Sequence, residues 1–254
     1  MANLLELRNV SKSFGGLHVS RDVTFSLASG DRVALIGPNG AGKTTLVNLV
    51  SGAEPLTSGR ILLNGQDISK LSIAARVNRG LVRTFQVTRL FASLTVAQNV
   101  ALAILQRERM TRACFSAVAQ ASSIHAECRE RLDTLGLAGL AGLPAARLAY
   151  GQQRLLELAI GLALNPEVLL LDEPAAGVPH DEVPRILEAI ERLPPGIAVL
   201  MIEHDMDLVF RFARRVLVLA DGLLIFQGTP AAAANDSDVR RAYLGSYAHA
   251  RRTA

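Results

Sequence analysis

The sequence predicts an α/β protein: a mixed-sheet core with an antiparallel β region near its N-terminal end and an inserted helical subdomain. Short apolar runs such as Arg32–Ile36 and Glu167–Leu171 read as buried strands, and the alternating segments Leu4–Val10 and Val23–Leu27 as half-buried ones. From about Thr95 to Leu164 the texture changes. Ala, Leu, Arg and Glu dominate there, β-branched residues thin out and helical spacing takes over. Residues 1–94 and 165–228 are therefore expected to form the core, 95–164 the helical subdomain and 229–254 a tail, all within one domain.

In chain order, Leu4–Val10 opens the β region and leads into the turn-rich stretch Ser11–Gly16, and Val23–Leu27 follows as the second strand. Arg32–Ile36 runs straight into a glycine-rich loop. After that loop, Thr44–Ser51 has helical spacing, with Gly52 as its stop signal. Arg60–Leu63 enters a tight turn at Asn64-Gly65. Beyond the helical stretch the core resumes at Glu167–Leu171. Strands at Ile197–Ile202, Arg215–Leu219 and Leu223–Gln227 complete it, with a helix at Met206–Ala213. Past Gly228 the chain is Ala-rich and then basic.

Half of the 254 residues are hydrophobic and a fifth are charged, the balance of an ordered globular chain. Trp is absent and aromatics are few, so the core must rest on Leu, Ile, Val and Ala. A formal charge of +4 permits an anionic ligand or a membrane surface without pointing to nucleic acid. Cys114 and Cys128 make no disulfide framework and no Cys-pair metal site; free thiols in a cytosolic protein are expected. Met1–Arg8 lacks the basic end and apolar run of a signal peptide. No window approaches about 18 uninterrupted apolar residues, so a soluble chain that meets a membrane only through a partner is expected.

The chemistry starts at the pattern Gly-(four residues)-Gly-Lys-Thr, met by Gly37 to Thr44. Backbone N–H groups must close around phosphate oxygens, so Gly37, Gly40 and Gly42 keep the loop open while the next helix aims its positive end at the anion. Lys43 is expected to reach the β- and γ-phosphates of ATP, and the Thr44 hydroxyl to coordinate Mg²⁺. Asn39 and Thr45 complete the expected nucleotide contacts of this loop. Asp172 and Glu173 end the apolar run Val168–Leu171, where a carboxylate is costly unless it meets a cation. Asp172 is expected on Mg²⁺, and Glu173 to polarise a water for attack on the γ-phosphate. His204 follows a second apolar strand and is placed to hydrogen-bond a γ-phosphate oxygen.

Together these residues resemble the ATP-binding subunits of ABC transporters, over the span Leu4 to Gly245. Leu148-Ala-Tyr-Gly-Gln-Gln-Arg154 resembles the family's signature loop and precedes the Val168–Glu173 strand, as it does in the family. The resemblance implies an ABC-type P-loop NTPase fold and a head-to-tail dimer, each ATP lying between one subunit's phosphate loop and the other's signature loop. It implies that Phe14 stacks on adenine and that Gln86 touches Mg²⁺ and water. Gly151 presents its N–H to the opposite γ-phosphate with Gln152 beside it, and His204 acts as the switch histidine. Gln86, Glu173 and His204 form the implied catalytic set, and Thr44, Gln86 and Asp172 the implied metal set.

Arg83-Thr-Phe-Gln86, Arg89-Leu-Phe, Glu173-Pro-Ala-Ala-Gly177, Ile202-Glu-His-Asp-Met206 and Ala242-Tyr-Leu-Gly245 resemble the bacterial subfamily that imports branched-chain amino acids. Importers of urea and other amides share part of this vocabulary. The implied partners are two integral membrane permease subunits, docked through Gln86–Val100, a second ATP-binding subunit (a paralogue or this chain itself) and, indirectly, a substrate-binding protein. The implied location is the cytoplasmic face of the plasma membrane. Two positions depart from the pattern: Ala149 replaces the signature serine, and Pro179 stands where the dimer-facing loop carries Asp or Asn. In a heterodimer these departures would make the two ATP sites unequal. Soluble ABC-type ATPases that act on DNA or ribosomes are the alternative class. They carry coiled-coil insertions or tandem ATPase units, which this sequence lacks.

Overall fold

The computed structural model describes residues 3–84, 90–108 and 117–250, and their side chains except at 117–121 and 244–250. The chain divides into a sheet-bearing unit, Met1–Leu81, Glu167–Glu173 and Pro195–Ala254, and a helical unit, Val82–Pro166 and Pro174–Pro194.

The sheet-bearing unit begins with β1 (Asn3–Phe14) and β2 (Leu17–Ala28), an antiparallel hairpin whose turn is the pair Gly15-Gly16, both at positive φ. β1 therefore runs on through Ser11–Phe14, which the sequence reading gave to a turn. Those residues pair with β2 at Lys12↔Ser20, Ser13↔His18 and Phe14↔Leu17, and Ser13 Oγ lies 2.7 Å from His18 Nδ1. Only the glycines, with no Cβ to clash, reverse the chain.

β3 (Arg32–Ile36) leads to α1 (Lys43–Ser51), which stops at Gly52 in the left-handed region. β4 (Ser58–Leu63) and the short β5 (Gln66–Asp67) complete an antiparallel sheet of order β2-β1-β4-β5. The short α2 (Ile73–Val77), capped by the Ser72 hydroxyl, precedes β6 (Leu81–Arg83), where the unit ends. Within α2, Arg76 is 1% exposed. Its guanidinium donates to the carbonyls of Leu49 and Val50 at the end of α1, and to those of Ser69 and Leu71. A cation thus closes the C-terminal end of the helix that starts at the phosphate loop.

The helical unit contains α3 (Val96–Arg107), α4 (Ala117–Thr134) and α5 (Tyr150–Ala163), which pack on one another. α3 opens with a complete capping box, Thr95 accepting from the Gln98 N–H and Gln98 from the Thr95 N–H. Val96, Val100 and Ile104 of α3, Leu132 of α4 and Leu156 and Leu162 of α5 are buried. Arg107 ties α3 to α4 through a two-bond ion pair with Glu127, both distances 2.8 Å.

β7 (Val168–Asp172) returns the chain to the core. α6 (Val183–Glu191) packs on α5 and belongs to the helical unit, although its sequence lies within the segment 165–228 expected in the core. β8 (Ala198–Ile202), α7 (Met206–Phe212), β9 (Arg215–Ala220) and β10 (Leu223–Gly228) follow. The second sheet has the order β10-β9-β3-β8-β7-β6, with β9, β3, β8 and β7 mutually parallel and β10 antiparallel to β9. β7 and β8 are buried at every residue, as strands covered on both faces must be. The tail forms α8 (Pro230–Asn235), started by the Thr229 hydroxyl and a first-turn proline, and α9 (Ser237–Ala250). Among the described residues, no helix is long and apolar enough to cross a membrane.

Candidate functional site

The phosphate loop leaves β3 at its C-terminal end and enters α1. Gly37 is buried at φ 151°, and a Cβ there would lie 2.1 Å from the Leu219 carbonyl oxygen. Gly42, at φ 98°, is the N-cap of α1, and its Cβ would lie 2.5 Å from the Val19 carbonyl oxygen. No side chain fits at either position, so the loop's backbone lies directly against β9 and β2. Asn39, Gly40 and Thr44 are exposed, whereas Thr45 is half-buried. Lys43, Thr44 and Thr45 form the first turn of α1, whose N–H groups have no acceptor within the helix.

Lys43 Nζ donates to the carbonyls of Gly37 (2.7 Å) and Pro38 (3.0 Å). Burial lowers its pKa below the ordinary lysine value, and the Glu173 carboxylate opposes that shift. Tyr243 of α9 takes a hydrogen bond from the Gly37 backbone, and burial raises its phenol pKa against that bond's pull.

Asp172 is 3% exposed at the end of β7 and is paired in register with Ile202 of β8. Glu173 follows at φ 47°, unusual for a residue with a Cβ, and its N–H donates to the Ile202 carbonyl at 3.1 Å. A left-handed non-glycine residue costs about 1–2 kcal/mol, offset here by the strand-end bond. This turn brings Glu173 Oε1 to 3.8 Å from His204 Nδ1, at the end of the neighbouring strand. His204 is largely exposed, and its N–H donates to Glu203 Oε2 at 3.1 Å. Phe14 stands at the end of β1, 45% exposed, with the buried Lys12 ammonium 4.5 Å from its ring centroid. Lys12 is anchored to the Pro55 carbonyl at 2.9 Å and to Glu54 at 3.3 Å.

In the helical unit, α5 begins at the loop Leu148–Gly151. Ala149 is the N-cap but has no side-chain acceptor, so only half of a capping box exists: Gln152 Oε1 accepts the Ala149 N–H at 3.0 Å. The Gly151 N–H donates to Glu182 Oε2 at 3.1 Å. Tyr150 Oη donates to the Ala176 carbonyl, and buried Arg154 reaches Tyr150 Oη at 3.0 Å and Glu157 at 3.0 Å.

The structure thus gathers Gly37–Thr45, Asp172, Glu173 and His204 around the C-terminal ends of β3, β7 and β8, the edge where parallel α/β sheets place ligands. Gly151 and Gln152 belong to the other unit. Gln86 and Arg89 lie outside the described residues.

A family model described as ABC transporter matches residues 20–176. The chain belongs to the ABC transporter family. As a member, it is an ATP-binding ATPase whose hydrolysis is coupled to transport. A second model, described as branched-chain amino acid ATP-binding cassette transporter, matches residues 224–249 of this ABC protein. Over 251 residues it is 39% identical to the high-affinity branched-chain amino acid transport ATP-binding protein LivG of Escherichia coli, covering 95% of this chain and 98% of that one. It is 35% identical to the lipopolysaccharide export system ATP-binding protein LptB of Escherichia coli, covering 95% and 97%. The ADP conformation of MJ1267, an ATP-binding cassette of an ABC transporter, matches with a TM-score of 0.82 at 28% identity, covering 96% and 100%.

Four contacts in this ABC subunit went unread in the sequence: Lys12 under Phe14, Glu203 on His204, Tyr243 on Gly37 and Glu182 on Gly151. Glu203 alone left a signal, as a carboxylate directly after an apolar strand. Lys12 and Glu182 lie among polar residues in sequence where their types are ordinary, and nothing in Ala242-Tyr-Leu-Gly245 points to Gly37.

Proposed function

We propose that this chain is the ATP-hydrolysing subunit of a bacterial importer of branched-chain amino acids. The carrying observation is the subfamily match over residues 224–249 on a chain whose N-terminal half holds a complete phosphate loop. The working assembly is a head-to-tail dimer with a second ATP-binding subunit, itself or a paralogue. It sits beneath two membrane permease subunits on the cytoplasmic face of the membrane, with a substrate-binding protein delivering cargo.

In this reading Phe14 stacks on adenine. The N–H groups from Asn39 to Thr45 hold the phosphates, and Lys43 exchanges its carbonyl partners for β- and γ-phosphate oxygens. Glu173 accepts a proton from the attacking water, and His204 hydrogen-bonds the γ-phosphate. Gly151 and Gln152 of the facing subunit complete the site, and Gln86 links it to the permeases.

Mg²⁺ fits the donors present: the exposed Thr44 hydroxyl and the buried Asp172 carboxylate are hard oxygens, with Gln86 as a third. Among the described residues no cluster of three or more His, Cys, Asp or Glu could hold a metal ion, which suits an ion carried in largely by nucleotide phosphates. When bound, Mg²⁺ supplies charge neutralisation at the β- and γ-phosphates.

The test is uptake of labelled leucine, isoleucine, valine and urea by cells lacking this chain. Loss of branched-chain uptake, restored by wild type but not by Glu173→Gln, is expected. Unchanged branched-chain fluxes overturn the cargo assignment, and loss of urea uptake alone replaces it with the amide reading.

A further inference from the structure

The geometry points to Glu182 as an internal competitor of nucleotide phosphate. Its carboxylate holds the Gly151 N–H and must leave before that donor can meet the γ-phosphate of an ATP on the facing subunit. The inference rests on the proposed sandwich of ATP between phosphate loop and signature loop.

Gly151 is the second residue of the fourteen-residue helix α5, so its N–H is one of those the helix cannot satisfy internally. The first turn is where the helix dipole favours an anion. Glu182 supplies that anion from the same unit, with Oε2 3.1 Å from the Gly151 nitrogen. A Cβ built on Gly151 would lie 2.1 Å from the same oxygen, so the carboxylate fills the space directly over the glycine.

The acid is seated by its own backbone. Glu182 is the N-cap of α6, and its N–H donates to the Pro179 carbonyl at 2.9 Å. Its carbonyl accepts from Arg185 at 3.1 Å. Pro179, which departs from the family's dimer-facing pattern, thus opens the turn that aims Glu182 at the signature helix. One N–H cannot serve a carboxylate and a phosphate together, and two anions at that separation repel. Closure of the dimer on ATP therefore requires the Glu182 side chain to swing off Gly151. This sets a threshold of nucleotide occupancy below which the signature loop stays capped. Glu182 acts through Gly151 and is a positioning residue.

The test is steady-state ATP hydrolysis by the assembled transporter, this chain with its membrane subunits, over a range of ATP concentrations. In Glu182→Ala the half-saturating ATP concentration is expected to fall about five- to tenfold, the size of one lost charge-assisted competitor, with kcat not lowered. Glu182→Gln, which keeps an acceptor but no charge, is expected between the two and guards against a folding defect in the alanine variant. A residue that merely capped the fold would raise the half-saturating concentration and lower the melting temperature. Unchanged or raised half-saturation in both variants overturns the inference while leaving an active transporter in hand. A wild-type complex that hydrolyses no ATP removes the sandwich reading and this inference with it.

Discussion

Lys43 Nζ lies 2.7 Å from the carbonyl oxygen of Gly37, so the last turn of the phosphate loop is tied to its first residue by its own cation. Gly37 directly follows β3 and Lys43 begins α1, so this chord fixes the loop's width between a strand and a helix. The same ammonium is the group proposed to meet the β- and γ-phosphates.

Replacing Lys43 by Ala removes both the chord and the phosphate contact. ATP affinity, measured by equilibrium dialysis, is expected to fall about 100-fold, the loss of one charged partner to phosphate. A change within about threefold would place the nucleotide elsewhere.

Arg76 gives a prediction about stability alone. Its guanidinium serves four backbone carbonyls at 2.7–3.1 Å in a site only 1% exposed. Arg76→Ala would remove all four bonds, two of them to the buried carbonyls of Leu49 and Val50, at a cost of about 3–5 kcal/mol and a melting temperature lower by about 10 °C. Arg76→Lys would recover only part of this, since one ammonium cannot span the four carbonyls.

The Arg107–Glu127 pair predicts a pH dependence within the helical unit. Hydrogen bonds from Arg107 hold the Glu127 carboxyl below its ordinary value of 4.5. As pH falls, the unfolded chain takes up this proton first. The pair's contribution is therefore complete above about pH 4.5 and is lost as pH drops through the lower folded value. Melting curves of wild type and Glu127→Gln should differ at pH 7 and draw together as pH falls below 4.5; a gap that does not shrink on acidification would contradict the assignment.

Much of this architecture was legible because it follows from local pattern. Arg32–Ile36 and the Gly52 helix stop appear where apolar spacing and a glycine put them. The readings that failed lacked a local cue. Ser11–Phe14 looked like a turn because Ser, Lys and Gly crowd there, yet cross-strand pairing holds the segment extended. α6, with Pro184 in its first turn, and the short strand β6 were passed over, being short and defined by what they pack against. In the site, the residues at strand ends could be read, since a carboxylate after an apolar run must meet something. Glu182 could not, because nothing in Pro179-His-Asp-Glu182 announces that its side chain reaches a glycine 31 residues away.

The central claim is that ATP held by the Lys43 loop is hydrolysed with Glu173 as the base, and single-turnover cleavage of labelled ATP by the assembled transporter tests it most directly. Glu173→Gln is expected to retain ATP binding while its cleavage rate falls about 100- to 10,000-fold, the usual contribution of a positioned general base. Cleavage at the wild-type rate in that variant would contradict the account.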